Sequence, residues 1–209
     1  MNTIQNRRES MDELETLNML LRLIGSSPVN SLDTDHPDAA NALATMKRVS
    51  RRIQRKGWWC NIEYSVILEP NNRGEIVVGG DITSLVAENS CYVLRGTRLY
   101  DKQLQTSIFT VNVAVTRLVR ILEWDSMPQV MQESVAYKAA AEFVRDELED
   151  PQKESALVQE AGASYLDLKK QELEEGQYNI FRTPRIASAR SGIFPYARSN
   201  KRFFGDPDV

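Results

Sequence analysis

The stretch RVSRRIQRKGWWCNIEY, residues 48–64, decides the fold, because the periodicity of the chain changes within it. Before Gly57 the apolar residues are spaced as in an amphipathic helix, and after it aromatic and β-branched residues dominate. Glycine is common just beyond a helix end. The sequence therefore predicts that a helix stops at Gly57 and that a strand starts at Trp58.

The adjacent tryptophans Trp58 and Trp59 predict that this strand is covered on both sides. Successive side chains of a strand point to opposite faces, and each indole can bury roughly 150–250 Å². One face would meet the helices of the same chain. The other would meet either further helices of this chain or a neighbouring subunit, and the residues alone leave these alternatives open.

Helical patterns flank the junction on both sides. Ser10 and Glu13 form a capping-box pattern, and Gly25 supplies the stop of the first helix. The four predicted helices cover about residues 10–25, 38–56, 125–149 and 152–175.

Small and apolar residues predict how the last two helices pack. The run Ala139-Ala140-Ala141 would let another helix approach closely. In the last helix Val158, Ala161, Tyr165 and Leu168 are spaced to lie on one face.

Between these helices the chain reads as a small sheet. Apolar runs at residues 66–68, 75–78, 91–94 and 108–113 are separated by turns rich in Gly, Pro and Asn. We therefore expect an α+β fold with a mostly antiparallel β platform, residues 58–121, inserted into a four-helix body. The body would comprise residues 10–57 and 122–176, and residues 177–209 would form an extended C-terminal arm.

The composition is that of an ordinary globular protein, with 42% hydrophobic and 26% charged residues among 209. The net charge of −3 is uneven, because residues 177–209 contain six Lys or Arg and two Asp, which gives +4 and leaves −7 for residues 1–176. A basic tail suits an acidic partner or phosphates, but solvated tails have the same pattern.

Cys60 and Cys91 are expected to be free buried thiols. The N-terminus has no secretory pattern and no run is long enough to span a bilayer, so we expect synthesis in a cytoplasm and no membrane association.

Catalytic motifs are not evident in the sequence, and we expect a protein that is not an enzyme and that holds no cofactor or metal. His36, the single histidine, lies in the turn before a helix, where turn or cap chemistry is the ordinary role. Carboxylates near the predicted sheet keep a polysaccharide hydrolase open as an alternative, since such enzymes need two suitably spaced acids. They are Asp81, Glu88, Asp101, Glu123 and Asp125.

A stripe of arginines lies opposite the apolar face of the second helix. Cations near a helix C-terminus complement the helix dipole, which is one explanation for them. The other is docking on an acidic protein surface or on phosphates, and a nucleic-acid-binding protein is a further alternative. The stripe consists of Arg48, Arg51, Arg52 and Arg55.

The order of four segments resembles the tail tubular protein A family, the head-to-tail adaptors of short-tailed, T7-like bacteriophages. The segments are LETLNMLLRLIGSSP at residues 14–28, DAANALATMKRVSRRIQRKGWWCN at 38–61, VNVAVTRLVRILEWDSMP at 111–128 and QYN at 177–179. The resemblance covers roughly residues 11–180.

The resemblance implies a structural virion protein that forms a dodecameric ring between the portal protein and the tail nozzle, a tail tubular protein B-like protein. DNA would pass through the ring without sequence readout, and tail fibres are a further candidate partner. The arm after Phe181 is interpreted as clasping the portal. The candidate partner-binding residues are Arg48, Arg51, Arg52, Arg55, Trp58, Trp59, Phe181, Arg182, Arg185, Phe194, Tyr196, Arg198, Arg202, Phe203 and Phe204.

Overall fold

A computed structural model of the chain describes residues 11–148 and 150–175. The chain divides into two compact units, Met1–Glu172 and Leu173–Val209, and the account below concerns the first together with the helix that ends at Glu175. The elements are α1 Glu13–Leu23, α2 Pro37–Gln54, β1 Ile62–Leu68, β2 Ile82–Ala87, β3 Tyr92–Arg95, β4 Arg98–Asp101, β5 Val113–Arg120, a short 3-10 turn Trp124–Ser126, α3 Gln129–Leu148 and α4 Pro151–Glu175. The predicted α+β class is confirmed.

Helix α1 ends in a Schellman motif. Gly25 has a φ of 79°, the amide of Gly25 donates to the carbonyl of Arg22 at 3.1 Å, and the amide of Ser26 donates to Leu21 at 3.0 Å. The predicted stop at Gly25 is therefore confirmed. The predicted capping box of Ser10 and Glu13 is wrong, because the N-cap residue is Asp12 and Glu13 is the first residue of the helix; Ser10 itself lies outside the described residues.

Helix α3 lies at the centre of the helical core. Ala139, Ala140 and Ala141 are all buried, which confirms the predicted close approach of neighbouring helices. The helix begins later than predicted, because Asp125 belongs to the 3-10 turn and α3 starts at Gln129, directly after Pro128. The core also contains Leu17 and Leu21 of α1 and Met46 and Val49 of α2.

Helix α4 is capped by Asp150, whose Oδ1 accepts hydrogen bonds from the amides of Gln152 and Lys153 at 3.0 and 3.1 Å. Its buried residues are Ala161, Ser164 and Leu168. Val158 lines the same groove as Ala161 and Tyr165, in agreement with the predicted face, although 47% of Val158 is exposed.

The strands form two antiparallel sheets rather than one. The larger has the order β1-β5-β2, in which Tyr64 faces Arg117 and Val86 faces the same arginine from the other side. The smaller is the β3–β4 hairpin, with Arg95 opposite Arg98. A second small core of Ile76, Ala87, Leu99, Phe109 and Val113 lies under these strands.

Several predicted strand positions are corrected. Residues 75–78 form only isolated bridges, and Ile108 pairs with Glu75 in one of them. Residues 82–87 and 98–101 are strands that the sequence patterns did not reveal, and the last strand covers Val113–Arg120 instead of residues 108–113. The division into a helical body, a β platform and an arm stays a prediction.

Candidate partner-binding surfaces

The junction after α2 is a turn. Gly57 has a φ of 78°, and its amide donates to the carbonyl of Gln54 at 2.9 Å. The amide of Trp58 donates to Oδ1 of Asn61 at 2.7 Å, and β1 begins only at Ile62. The prediction that a strand starts at Trp58 is wrong, because four residues are used to turn the chain from the helix into the sheet.

Both tryptophans pack against the same helical core. Trp58 is 4% exposed, its Nε1 donates to the carbonyl of Ile53 at 2.8 Å, and its ring meets the Tyr165 ring edge-on at 5.8 Å. Trp59 is half-buried on the same core, and its amide donates to Glu172 of α4 at 2.8 Å. The two indoles therefore do not cover opposite faces of a strand. Their role in partner binding stays a prediction.

Two buried amide side chains fix this turn to the sheet. Asn61 Nδ2 donates to the carbonyls of Gln54 and Arg120, at 2.9 and 2.8 Å. The Gln54 side chain donates to the carbonyl of Leu122 at 3.0 Å and accepts from the Leu122 amide at 2.7 Å. Sequence reasoning missed both residues, because a glutamine at a helix end and an asparagine in a turn are ordinary in a sequence.

The structure divides the arginine stripe into two pairs. Arg48 and Arg52 lie on the side of α3, where both form salt bridges with the buried carboxylate of Glu142. Arg48 also reaches Asp146 at 3.4 Å, and Lys138 approaches Glu142 at 3.8 Å. Arg48 and Arg52 therefore join α2 to α3 within the chain.

Arg51 and Arg55 face an open groove, which Arg48 and Arg52 also line. Within the described part of the chain, neither the Arg51 nor the Arg55 side chain makes a hydrogen bond or an ion pair. The groove has a volume of about 760 Å³, and Lys47 precedes Arg51 by one helical turn on the same row. A row of like charges is unfavourable for the isolated helix, so a partner that supplies negative charge would relieve it. We call this surface the basic groove; its lining is Ala44, Lys47, Arg48, Arg51, Arg52, Arg55 and Thr83.

The candidate acids of the hydrolase alternative have local structural contacts. Asp81 accepts a hydrogen bond from Arg120, whose pKa rises because Glu63 and Asp81 both bind its guanidinium. Asp101 is buried and accepts from the amides of Gln103 and Leu104, at 2.7 and 3.0 Å.

Glu123 and Asp125 lie close enough to Glu13 to affect its ionisation. Burial is the main cause that raises the pKa of Glu13, and both neighbouring carboxylates add to it. His36 occupies the N-cap position of α2, where its carbonyl accepts from Ala40 at 3.0 Å. Glu88 is exposed.

The β strands carry exposed apolar side chains that the sequence analysis did not single out. Tyr64 and Ile67 of β1 are exposed, and so are Val86 of β2 and Val111 before β5. Tyr64 and Val86 pair with Arg117 from its two sides and so lie on one face of the sheet, where exposed apolar side chains are candidates for contacts with other proteins.

A sequence profile of the tail tubular protein family matches residues 14–178 of the chain. The chain belongs to the tail tubular protein family.

Among individual relatives, the chain is similar to the tail tubular protein A of Klebsiella phage KP34. The two are 27% identical over 139 residues, which cover 65% of this chain and 74% of the phage protein. The protein is thus a structural component of a phage tail.

Only some of the predicted partner-binding residues lie in the region that the family profile matches. The arginine stripe and both tryptophans lie inside the matched region. The predicted arm residues lie beyond its end and outside the described residues: Phe181, Arg182, Arg185, Phe194, Tyr196, Arg198, Arg202, Phe203 and Phe204. Among residues 11–148 and 150–175, no helix is long and apolar enough to cross a bilayer.

Proposed function

We propose that this tail tubular protein is a head-to-tail adaptor, which forms a ring between the portal protein and the tail nozzle and extends the channel for DNA ejection. The proposal places it in the virion tail, with twelve copies in the ring and with portal and nozzle as its protein partners. DNA passes through without being read.

The observation that carries the proposal is the basic groove on α2. Arg51 and Arg55 have no partner within the described residues, although the neighbouring Arg48 and Arg52 are paired inside the chain. In a tail protein, an unpaired row of cations on a rigid helix is suited to dock an acidic protein surface. Tyr64 of β1 and Val86 of β2, which are exposed on one face of the sheet, supply a second contact surface.

Assembly with purified portal tests the proposal. We expect a ring on the portal in electron micrographs, and a mass that corresponds to many copies of the chain. A protein that stays monomeric and binds neither portal nor nozzle would contradict the adaptor function.

A charge-reversal pair tests the basic groove. The double variant Arg51→Glu and Arg55→Glu should weaken the binding of portal or nozzle at least tenfold, whereas Arg73→Glu, in an exposed loop, should not. If the double variant binds both partners normally but loses binding to duplex DNA, with a steep dependence on salt in the wild type, the groove is a nucleic-acid surface instead.

A further inference from the structure

A second groove lies where α2, α3 and α4 meet, and Arg52 lines both this groove and the basic groove. Its volume is about 390 Å³, and Ile53, Val158 and Ala161 supply apolar lining. Val158 is 47% exposed, which is unusual for a valine beside a helical core. We call this surface the α4 groove.

A buried hydroxyl in the α4 groove has no partner among the described residues. Ser134 is 1% exposed, and its Oγ makes no hydrogen bond within the described part of the chain. Leaving a buried polar group unpaired costs on the order of 1–3 kcal/mol. An acceptor brought into the groove would satisfy this hydroxyl.

The rim of the α4 groove is cationic. Arg52, Lys56 and Lys138 all line it. Lys56 Nζ donates to the hydroxyl of Tyr165 at 2.8 Å and lies 4.7 Å from the centre of that ring. The chemistry that fits is an apolar side chain flanked by carboxylates.

The loop between α1 and α2 carries this chemistry. Leu32 is 36% exposed, and Asp33 and Asp35 beside it are exposed. The base of the loop is fixed, because the Asn18 side chain donates to the carbonyl of Val29 at 2.9 Å and accepts from its amide at 2.8 Å. The loop is thus a supported projection with a leucine and two negative charges.

The loop and the groove lie toward opposite ends of α2. The loop precedes Pro37, at the start of the helix, and Arg52 is in its last turn. Fifteen residues at 1.5 Å each separate the two by about 22 Å. Within one copy the loop does not line the groove, so a contact between them joins two different copies.

We propose that the α4 groove binds residues 29–36 of a second copy of the chain. Leu32 of the second copy enters the groove, Asp33 and Asp35 face Lys56 and Lys138, and the Ser134 hydroxyl donates to a carbonyl of the loop. The groove and the loop are different surfaces, so the contact is heterologous. Contacts of this type close a ring when the rotation between successive copies permits. This inference rests on the proposed ring and names the contact that builds it.

The test uses one variant for each surface. Val158→Asp places a negative charge in the groove, and Leu32→Asp removes the leucine from the loop. Both sites are exposed, so neither variant is expected to unfold the chain. Circular dichroism checks that the fold is kept. Light scattering with and without purified portal should show self-association weakened at least tenfold in each. Leu166→Asp on the same helix, which does not line the groove, should assemble like the wild type.

Mixing the two variants gives the decisive measurement. Each retains one intact surface, so the loop of Val158→Asp can enter the groove of Leu32→Asp, and the mixture should form dimers and nothing larger. A mixture that stays monomeric, or single variants that assemble normally, would overturn the inference while leaving the adaptor function in place. A wild-type chain that does not self-associate, with or without portal, would instead contradict the proposed function.

Discussion

Gly57 cannot be replaced without cost for two reasons, its backbone conformation and the side chain that packs against it. Its φ of 78° is a conformation that side chains with a Cβ disfavour. A Cβ there would also lie 2.1 Å from Nη2 of Arg117, which donates to the carbonyl of Lys56 at 3.3 Å. We therefore expect Gly57→Ala to lower the free energy of unfolding by about 2 kcal/mol, roughly half from the backbone and half from the displaced arginine. Urea denaturation measures it.

Gly25 provides the matched control. Its φ of 79° is the same, but a Cβ there would meet nothing within 4 Å. Gly25→Ala should therefore cost about 1 kcal/mol, the backbone share alone. Equal losses for the two variants would show that the contact with Arg117 contributes nothing to the junction.

Cys60, beside the two tryptophans, is expected to react slowly with thiol reagents. Burial raises the pKa of its thiol to about 11, and only the thiolate reacts. In a Cys91→Ser variant, which leaves Cys60 alone, the labelling rate should rise about tenfold per pH unit up to pH ~10 without levelling off. A plateau near pH 9 would indicate an ordinary, solvated thiol and would contradict the packing of Cys60 against the helical core.

At the scale of elements, α2 carries cations with two different roles. Arg52→Ala should lower the free energy of unfolding by about 1–2 kcal/mol, because it leaves the buried Glu142 with one fewer partner. Arg51→Ala should change it by less than about 0.5 kcal/mol, and in the stabilising direction, since it relieves repulsion along the row with Lys47 and Arg55. Thermal unfolding of the two variants and of the wild type measures both changes.

The reverse order of these two effects would mean that the stripe is not divided as described. A large loss for Arg51→Ala would place that side chain in the intramolecular network. The partner-binding role proposed for the basic groove would then lose its main support.

The helices were predictable from sequence because their signals are local. Gly25 and Asp150 mark helix ends by backbone chemistry that operates within a few residues. The strand Ile82–Ala87 was not predictable, since Thr83 and Ser84 interrupt its apolar residues and its pairing with β5 shifts register twice. Residues 75–78 have strand composition, yet their partners lie far along the chain and allow only isolated bridges.

The candidate surfaces follow the same distinction between local and distant contacts. The spacing of Arg48, Arg51, Arg52 and Arg55 shows that they share a helix face, and the structure agrees. Their division into two pairs depends on Glu142 of α3, which binds Arg48 and Arg52. Glu142 is 90 residues from Arg52 along the chain, so this contact is not visible in the local sequence. The two tryptophans were misplaced because a strand was extended through a turn. Asn61 fixes that turn by accepting from the Trp58 amide and donating to the distant carbonyl of Arg120, a contact that the local sequence does not reveal.

At the scale of the whole molecule, the predicted arm lies beyond the region that the family profile matches, which ends at residue 178. Among the described residues, those buried in the helical core run from Leu17 to Leu168. Removing residues 192–209 should therefore leave the melting temperature of the body nearly unchanged, while it weakens attachment to the portal at least tenfold if the arm clasps it. Differential scanning calorimetry and co-sedimentation with portal measure the two effects.

A shorter deletion separates the basic and aromatic residues of the arm from the acidic end. Removing only residues 206–209 keeps Arg198, Arg202, Phe203 and Phe204, so portal attachment should persist. Loss of attachment in both deletions would assign the contact to the last four residues instead. Unfolding of the body after the longer deletion would show that the arm is part of the core, because a segment that only clasps a partner contributes nothing to the stability of the free chain.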